Sequence, residues 1–198
     1  MIYISGKRPR DCQNAGAFLL RVPRMQLPSL SDHPGLAEAM QRLLGCHADI
    51  RRLSERMLRL DIHLIHYGLD ESARTTAHGI LDYFEHEVPL HHADERGDLF
   101  PALRRLRDPQ ITRSLDALDA EHDALTRMWR TVRPWLESIQ ARRAPKRPNT
   151  LGAFAVRYPA YADWEEREVY CSILRLPATR IISLAEGMRG RRAIQAAG

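Results

Sequence analysis

Beyond residue 33, apolar positions recur at three- and four-residue steps, and no stretch shows the two-residue alternation of a strand. The pattern predicts a first helix opening at Ser31-Asp32-His33-Pro34, where Ser31 or Asp32 can cap and Pro34 suits the first turn. It should run to about Tyr67 and stop at Gly68. Asp70 or Ser72 starts a second helix, with a kink or restart expected at Pro89 and a break around Gly97 and Pro101. Asp108-Pro109 opens a third, reaching about Gln140 with a bend possible in principle at Pro134. After a basic loop, 141–149, Thr150 starts a fourth helix expected to end near Leu176-Pro177, and a short fifth piece covers about Thr179 to Arg189. Four long helices with mostly short links predict an all-α fold, an antiparallel up-down four-helix bundle with a short C-terminal fifth helix.

The buried faces carry the informative residues. Helical projection gives the stripes Met40, Leu43, His47, Ile50, Met57 on the first helix and Ile80, Phe84, Val88, His91, Glu95 on the second. The third reads Leu115, Leu118, His122, Leu125, Trp129, and the fourth Leu151, Phe154, Tyr158, Tyr161, Glu165, Val169, Ile173. Each is apolar except where His, Glu or Tyr interrupts it. A carboxylate buried without a partner costs several kcal/mol, and no Lys or Arg sits mid-stripe to neutralise Glu95 or Glu165. A metal cation supplies that charge, and imidazole with carboxylate suits iron, manganese or zinc. His91 and Glu95 stand one helical turn apart, as do Tyr161 and Glu165; antiparallel helices bring His47 and His122 to one level. One histidine on an apolar stripe is ordinarily a hydrogen-bonded core residue, but interruptions on all four stripes argue for a shared centre. His92 should point about 100° away from His91 and is a poor candidate ligand. His33, His63, His66, His78 and His86 fall off the stripes.

Composition narrows the class further. The 198 residues, 44% hydrophobic and 28% charged, suit one globular domain with mean hydropathy −0.42. No apolar run is long enough for a membrane span, and Ala15–Leu20 is too short for a signal-peptide core, so a cytoplasmic protein is expected. Cys12, Cys46 and Cys171 match neither a disulfide scaffold nor a zinc knuckle and read as reduced thiols. The net charge of +5 is concentrated in residues 1–24, in Arg142, Arg143, Lys146 and Arg147 of the loop, and in Arg189, Arg191 and Arg192. The body is therefore acidic with basic ends, which reads as solvated ends rather than a nucleic-acid-binding face. Residues 1–33 read as a basic, poorly ordered leader, 34–192 as the metal-binding bundle and 193–198 as a tail. A ferritin-like site needs two Glu-x-x-His pairs, and only Asp119-x-x-His122 is present. No phosphate loop, nucleophile elbow or His-Glu-x-x-His motif occurs.

Several segments resemble the hemerythrin-like family, the HHE cation-binding domains. They are Leu81-Asp82-Tyr83-Phe84, Pro89-Leu90-His91-His92-Ala93-Asp94-Glu95 and Asp98-Leu99-Phe100-Pro101 on the second helix and its continuation. Cys46-His47-Ala48-Asp49-Ile50-Arg51, Asp119-Ala120-Glu121-His122 and the run Tyr158 to Val169 add to them, as does Gly187-Met188-Arg189-Gly190-Arg191-Arg192. The resemblance implies a non-haem iron site, usually two irons bridged by carboxylates and an oxo or hydroxo group. Carried over, His47, His91, Glu95, His122 and Glu165 are the ligands, with both glutamates bridging. One position departs from the family: Tyr161 stands where the last motif has histidine. It binds iron as phenolate or, as a neutral phenol, hydrogen-bonds a bound oxygen species and leaves the metal one ligand short.

The expected function is an iron-binding protein, diiron by resemblance, that binds, senses or detoxifies O2, NO or peroxide. The alternatives are a metal-dependent, peroxide-consuming enzyme and a regulatory module with a single-metal site. Neither a membrane nor a nucleic acid is an expected partner.

Overall fold

A computed structural model describes residues 34–196. The leader, its capping residues Ser31 and Asp32, and the last two residues lie outside the described residues. Helix α1 (Pro34–Tyr67) buries Leu43, His47, Ile50, Leu53, Met57 and Leu60 along one face, the three- and four-residue spacing that a helix needs. It ends at Gly68, whose φ of +75° is left-handed and whose amide donates to the Leu64 carbonyl. Asp70 then caps α2 (Glu71–Asp94) by accepting from the Ala73 amide at 2.7 Å.

Helix α2 continues through Pro89 without a restart. The break falls after Asp94, where the chain widens into a π-helical turn, Glu95–Leu99, before α3 (Phe100–Arg104). Gly97 lies in that turn and Pro101 in the first turn of α3, where a missing amide costs nothing. Asp108 caps α4 (Pro109–Gln140) by accepting from the Gln110 and Ile111 amides, and α4 runs unbroken past Pro134.

The fourth long helix differs from the expectation. Helix α5 (Leu151–Glu168) stops eight residues early and tightens into a 3-10 turn, Tyr170–Arg175. Near three residues per turn, positions i and i+3 eclipse, so Val169 and Ser172 face inward together, as do Tyr170 and Ile173. Helix α6 (Ala178–Ala196) is longer than expected and absorbs residues 193–196 of the presumed tail. Its stripe is Ile181, Leu184, Ala185 and Met188.

Contacts join α1 to α2, α2 to α4, α4 to α5 and α5 back to α1, so these four helices enclose a common core. Helix α6 lies outside that ring against α1, α2 and the π-helical turn. The fold is an all-helical bundle, and the described residues contain no strand. Each fully buried Leu, Ile or Phe contributes about 1.5–3 kcal/mol, and the core holds Ile50, Ile80, Leu115, Leu118 and Phe154, among others. No helix among the described residues is long and apolar enough to cross a membrane.

Candidate metal centre

Each of the four enclosing helices presents a polar side chain to one point of the core. His47 comes from α1, His91 from α2, Glu95 from the first position of the π-helical turn, His122 from α4, and Tyr161 with Glu165 from α5. His47, His91, Glu95, His122 and Glu165 all have 0% exposure. Their burial follows from the stripes: Leu43 and Ile50 bracket His47, and Leu118 and Leu125 bracket His122.

The donor atoms of His47, His91, Glu95 and Glu165 lie within 4.8 Å of one another. His47 Nε2 stands 3.1 Å from His91 Nε2 and 3.4 Å from Glu165 Oε2. Glu95 straddles two histidines, with Oε1 3.3 Å from His91 Nε2 and Oε2 3.2 Å from His122 Nε2. A hydrogen bond joins the Tyr161 hydroxyl to that same His122 nitrogen. The structure therefore brings the candidate side chains together, with His122 joined to the four-donor group through Glu95 and Tyr161 at its edge against His122.

The residues fit a bound cation. Two ligands about 2.1 Å from one metal and at right angles stand about 3.0 Å apart, close to the spacings above. Glu95 Oε2 and both oxygens of Glu165 have no hydrogen-bond partner, an arrangement that is costly for buried carboxylates. Among the described residues no arginine or lysine pairs with them: Arg51 is engaged by Asp163 and Glu166, and Arg192 by Glu87 and Asp94.

The electrostatics are those of a crowded cavity lacking a counter-ion. Burial and the neighbouring Glu95 charge push the Glu165 carboxyl well above its ordinary value. Burial also opposes charge on Glu95, but the imidazoles of His91 and His122 outweigh it and hold that carboxyl low. Burial disfavours a charged His47, yet the Glu165 carboxyl 3.4 Å away and the hydrogen-bonded Glu166 raise its pKa to about 9. Burial drives His91 down to about 3, so it is a neutral imidazole ready to donate a lone pair.

Glu166, Tyr170, His92 and Tyr158, none of them an expected ligand, also surround the centre. Glu166 holds His47 Nδ1 at 2.9 Å, fixing the ring so that Nε2 faces the cluster. Tyr170 donates to Glu95 Oε1 at 2.6 Å and stacks on His47. Tyr170 lies in the 3-10 turn, off the helical stripe that carries Tyr161 and Glu165. His92, set aside as a ligand, packs its ring 3.9 Å from that of His122 and hydrogen-bonds the Tyr158 hydroxyl at 2.7 Å. Its juxtaposition with His91 was the available signal. An apolar pocket of about 170 Å³ lies beside these rings, lined by Phe84, Val88, Leu125 and Trp129 together with His92 and Tyr158.

The remaining histidines lie away from the centre: His63 pairs with Asp70, His78 with Gln140 and His86 with Asp82, while His66 is exposed. His33 falls outside the described residues. Cys46 is a free, buried thiol whose pKa burial pushes up to about 12, which keeps it protonated and unreactive. Cys171 is disulfide-bonded, so the expectation of reduced thiols fails there.

A model of the family described as "Hemerythrin HHE cation binding domain" matches residues 38–172. The chain belongs to this family. An uncharacterised protein of Haemophilus influenzae is 31% identical over 102 residues, 52% of this chain and 59% of the relative. The chain thus spans under two thirds of that relative's length. The hemerythrin HHE match takes in all five buried His and Glu residues as well as Tyr161, and with the donor cluster it supports a metal-binding protein.

Proposed function

We propose that this protein binds non-haem iron, two ions per chain, and that the loaded centre meets a small oxidant: O2, NO or peroxide. The metal-binding unit is residues 34–192, with α1, α2, α4 and α5 in antiparallel, up-down order. His47, His91, Glu95 and Glu165 would hold one ion, and His122 with the two glutamates would hold the other. The observation that carries this reading is the pair of fully buried glutamates with three oxygens lacking any hydrogen-bond partner, set among three imidazoles. When bound, iron supplies a Lewis-acidic, redox-active position for the small ligand.

The chain's own residues prepare that position. Tyr170 orients Glu95 through its hydroxyl, and Glu166 orients His47. Tyr161 takes the hydrogen-bonding role: burial pushes its pKa well above the ordinary value, so the hydroxyl keeps its proton and can donate. The apolar pocket beside His92 suits an uncharged diatomic molecule better than a charged metabolite. Metal analysis with an optical spectrum tests the proposal. The expected result is close to two irons per chain with charge-transfer absorption; colourless, metal-free protein from iron-rich medium overturns it.

The hydrogen bond from Tyr161 to His122 favours one second reading, consumption of peroxide with Tyr161 as the proton donor. Peroxide turnover that falls in Tyr161→Phe supports it, and equal rates in the two proteins remove the tyrosine from the reaction.

A further inference from the structure

The turn that presents Glu95 is held from outside the bundle. A π-helical turn is rare and needs support from its surroundings, and this one has acidic residues beside and within it, Asp94 and Asp98. Both acids are gripped by α6, which lies beyond the span matched by the family model. Arg191 donates to Asp98 Oδ2 at 2.8 and 3.0 Å and stands 3.5 Å from Asp94 Oδ1. Arg192 reaches Asp94 Oδ2 at 3.2 Å and Glu87 Oε2 at 3.0 Å, thereby tying the last two turns of α2 together.

Two glycines permit the approach. A Cβ on Gly187 would stand 2.5 Å from Asp98 Oδ1, and one on Gly97 would stand 2.5 Å from Arg191 Nη2. Asp94 is completely buried and immediately precedes Glu95. Its backbone direction therefore sets where the Glu95 side chain leaves the chain. The apolar face of α6 seats the helix, but the guanidinium groups grip the turn itself.

We propose that α6 is a clamp on the metal centre: Arg191 and Arg192, admitted by Gly97 and Gly187, hold the turn that aims Glu95 and so set metal affinity. The arginines are positioning residues and touch no metal. This rests on the reading of Glu95 as a ligand.

The test uses the full chain and ferrous ion alone, titrated anaerobically against a competing chelator, with amide hydrogen exchange on the metal-free protein. The variants are the double substitution Arg191→Ala/Arg192→Ala and Gly187→Ala, which displaces Asp98 while leaving every charge in place. Loss of a group supporting a ligand weakens metal binding about 10–100-fold, and that loss is expected in both variants. Amides of residues 95–100 should exchange faster, with those of α1 and α4 unchanged. Arg147→Ala, which breaks only the distant pair with Asp61, should bind as wild type.

Affinities within about twofold of wild type in the clamp variants overturn the proposal, as does an equal loss in Arg147→Ala. A double variant that does not fold leaves Gly187→Ala and Arg192→Lys to decide, the latter keeping the charge without the forked reach. Wild-type protein that binds no ferrous ion sinks the reading of the centre itself; tight wild-type binding with indifferent clamp variants sinks only the clamp.

Discussion

The two halves of the candidate centre share Glu95 but not their quality. Around His47 and His91, four donor atoms converge within 4.8 Å, and Glu166 braces His47 from behind. Around His122, a single imidazole nitrogen faces Glu95 Oε2 and the Tyr161 hydroxyl at once, and its Nδ1 has no partner. The first half is a four-donor cluster with a supporting carboxylate; the second has a phenol where the family motif places an imidazole. One side chain accounts for much of the difference. A phenol held protonated by burial contributes a hydrogen bond rather than a lone pair.

The contrast breaks most visibly at Glu165. Glu165→Met should lower ferrous affinity by more than about 100-fold, read in a chelator competition. The same change should stabilise the metal-free protein by about 1–3 kcal/mol in denaturant titration, because it removes a buried carboxylate with two unpaired oxygens. Unchanged affinity would remove Glu165 from the centre.

Glu166→Ala probes the first half alone. The stronger step of a stepwise titration should weaken about 10–100-fold while the weaker step stays put. Equal weakening of both steps would mean that the halves do not differ in this support.

Tyr161→His addresses the second half. It should tighten the weaker step by about tenfold and bring the iron content closer to two per chain. An unaltered second step would show that the phenol is not what limits that half.

The smallest effect serves as a control. Asp70→Ala removes the cap of α2, at the far end of that helix from His91, and should cost about 1 kcal/mol of stability with both metal steps intact.

Much of the centre was legible because helical periodicity is a property of the local chain. His47, His91, His122 and Glu165 interrupt apolar stripes, and all are fully buried where those stripes meet. Gly68, Asp70 and Asp108 marked helix ends because their stop and cap chemistry acts within a few residues. Tyr170 was not legible: it lies in a 3-10 turn beyond α5, off the stripe that carries Glu165, and meets Glu95 from seventy-five positions away. His92 was set aside on angular grounds, although a half-buried ring beside a ligand can still pack against the neighbouring helix. The reach of α6 to Asp94 and Asp98 was equally hidden, since nothing local pairs residues more than ninety positions apart.

Sequence alone thus determined which faces are buried and that two acids on them lack a cationic partner from the chain, because side-chain period and charge are local quantities. Tertiary structure decided that Glu95 straddles His91 and His122, that Tyr161 sits on His122, and that a C-terminal helix grips the turn carrying Glu95. Those outcomes depend on the relative height and rotation of helices brought together from distant parts of the chain. Such offsets follow from how whole side-chain surfaces interlock in a close-packed interior, and no short window of residues encodes them.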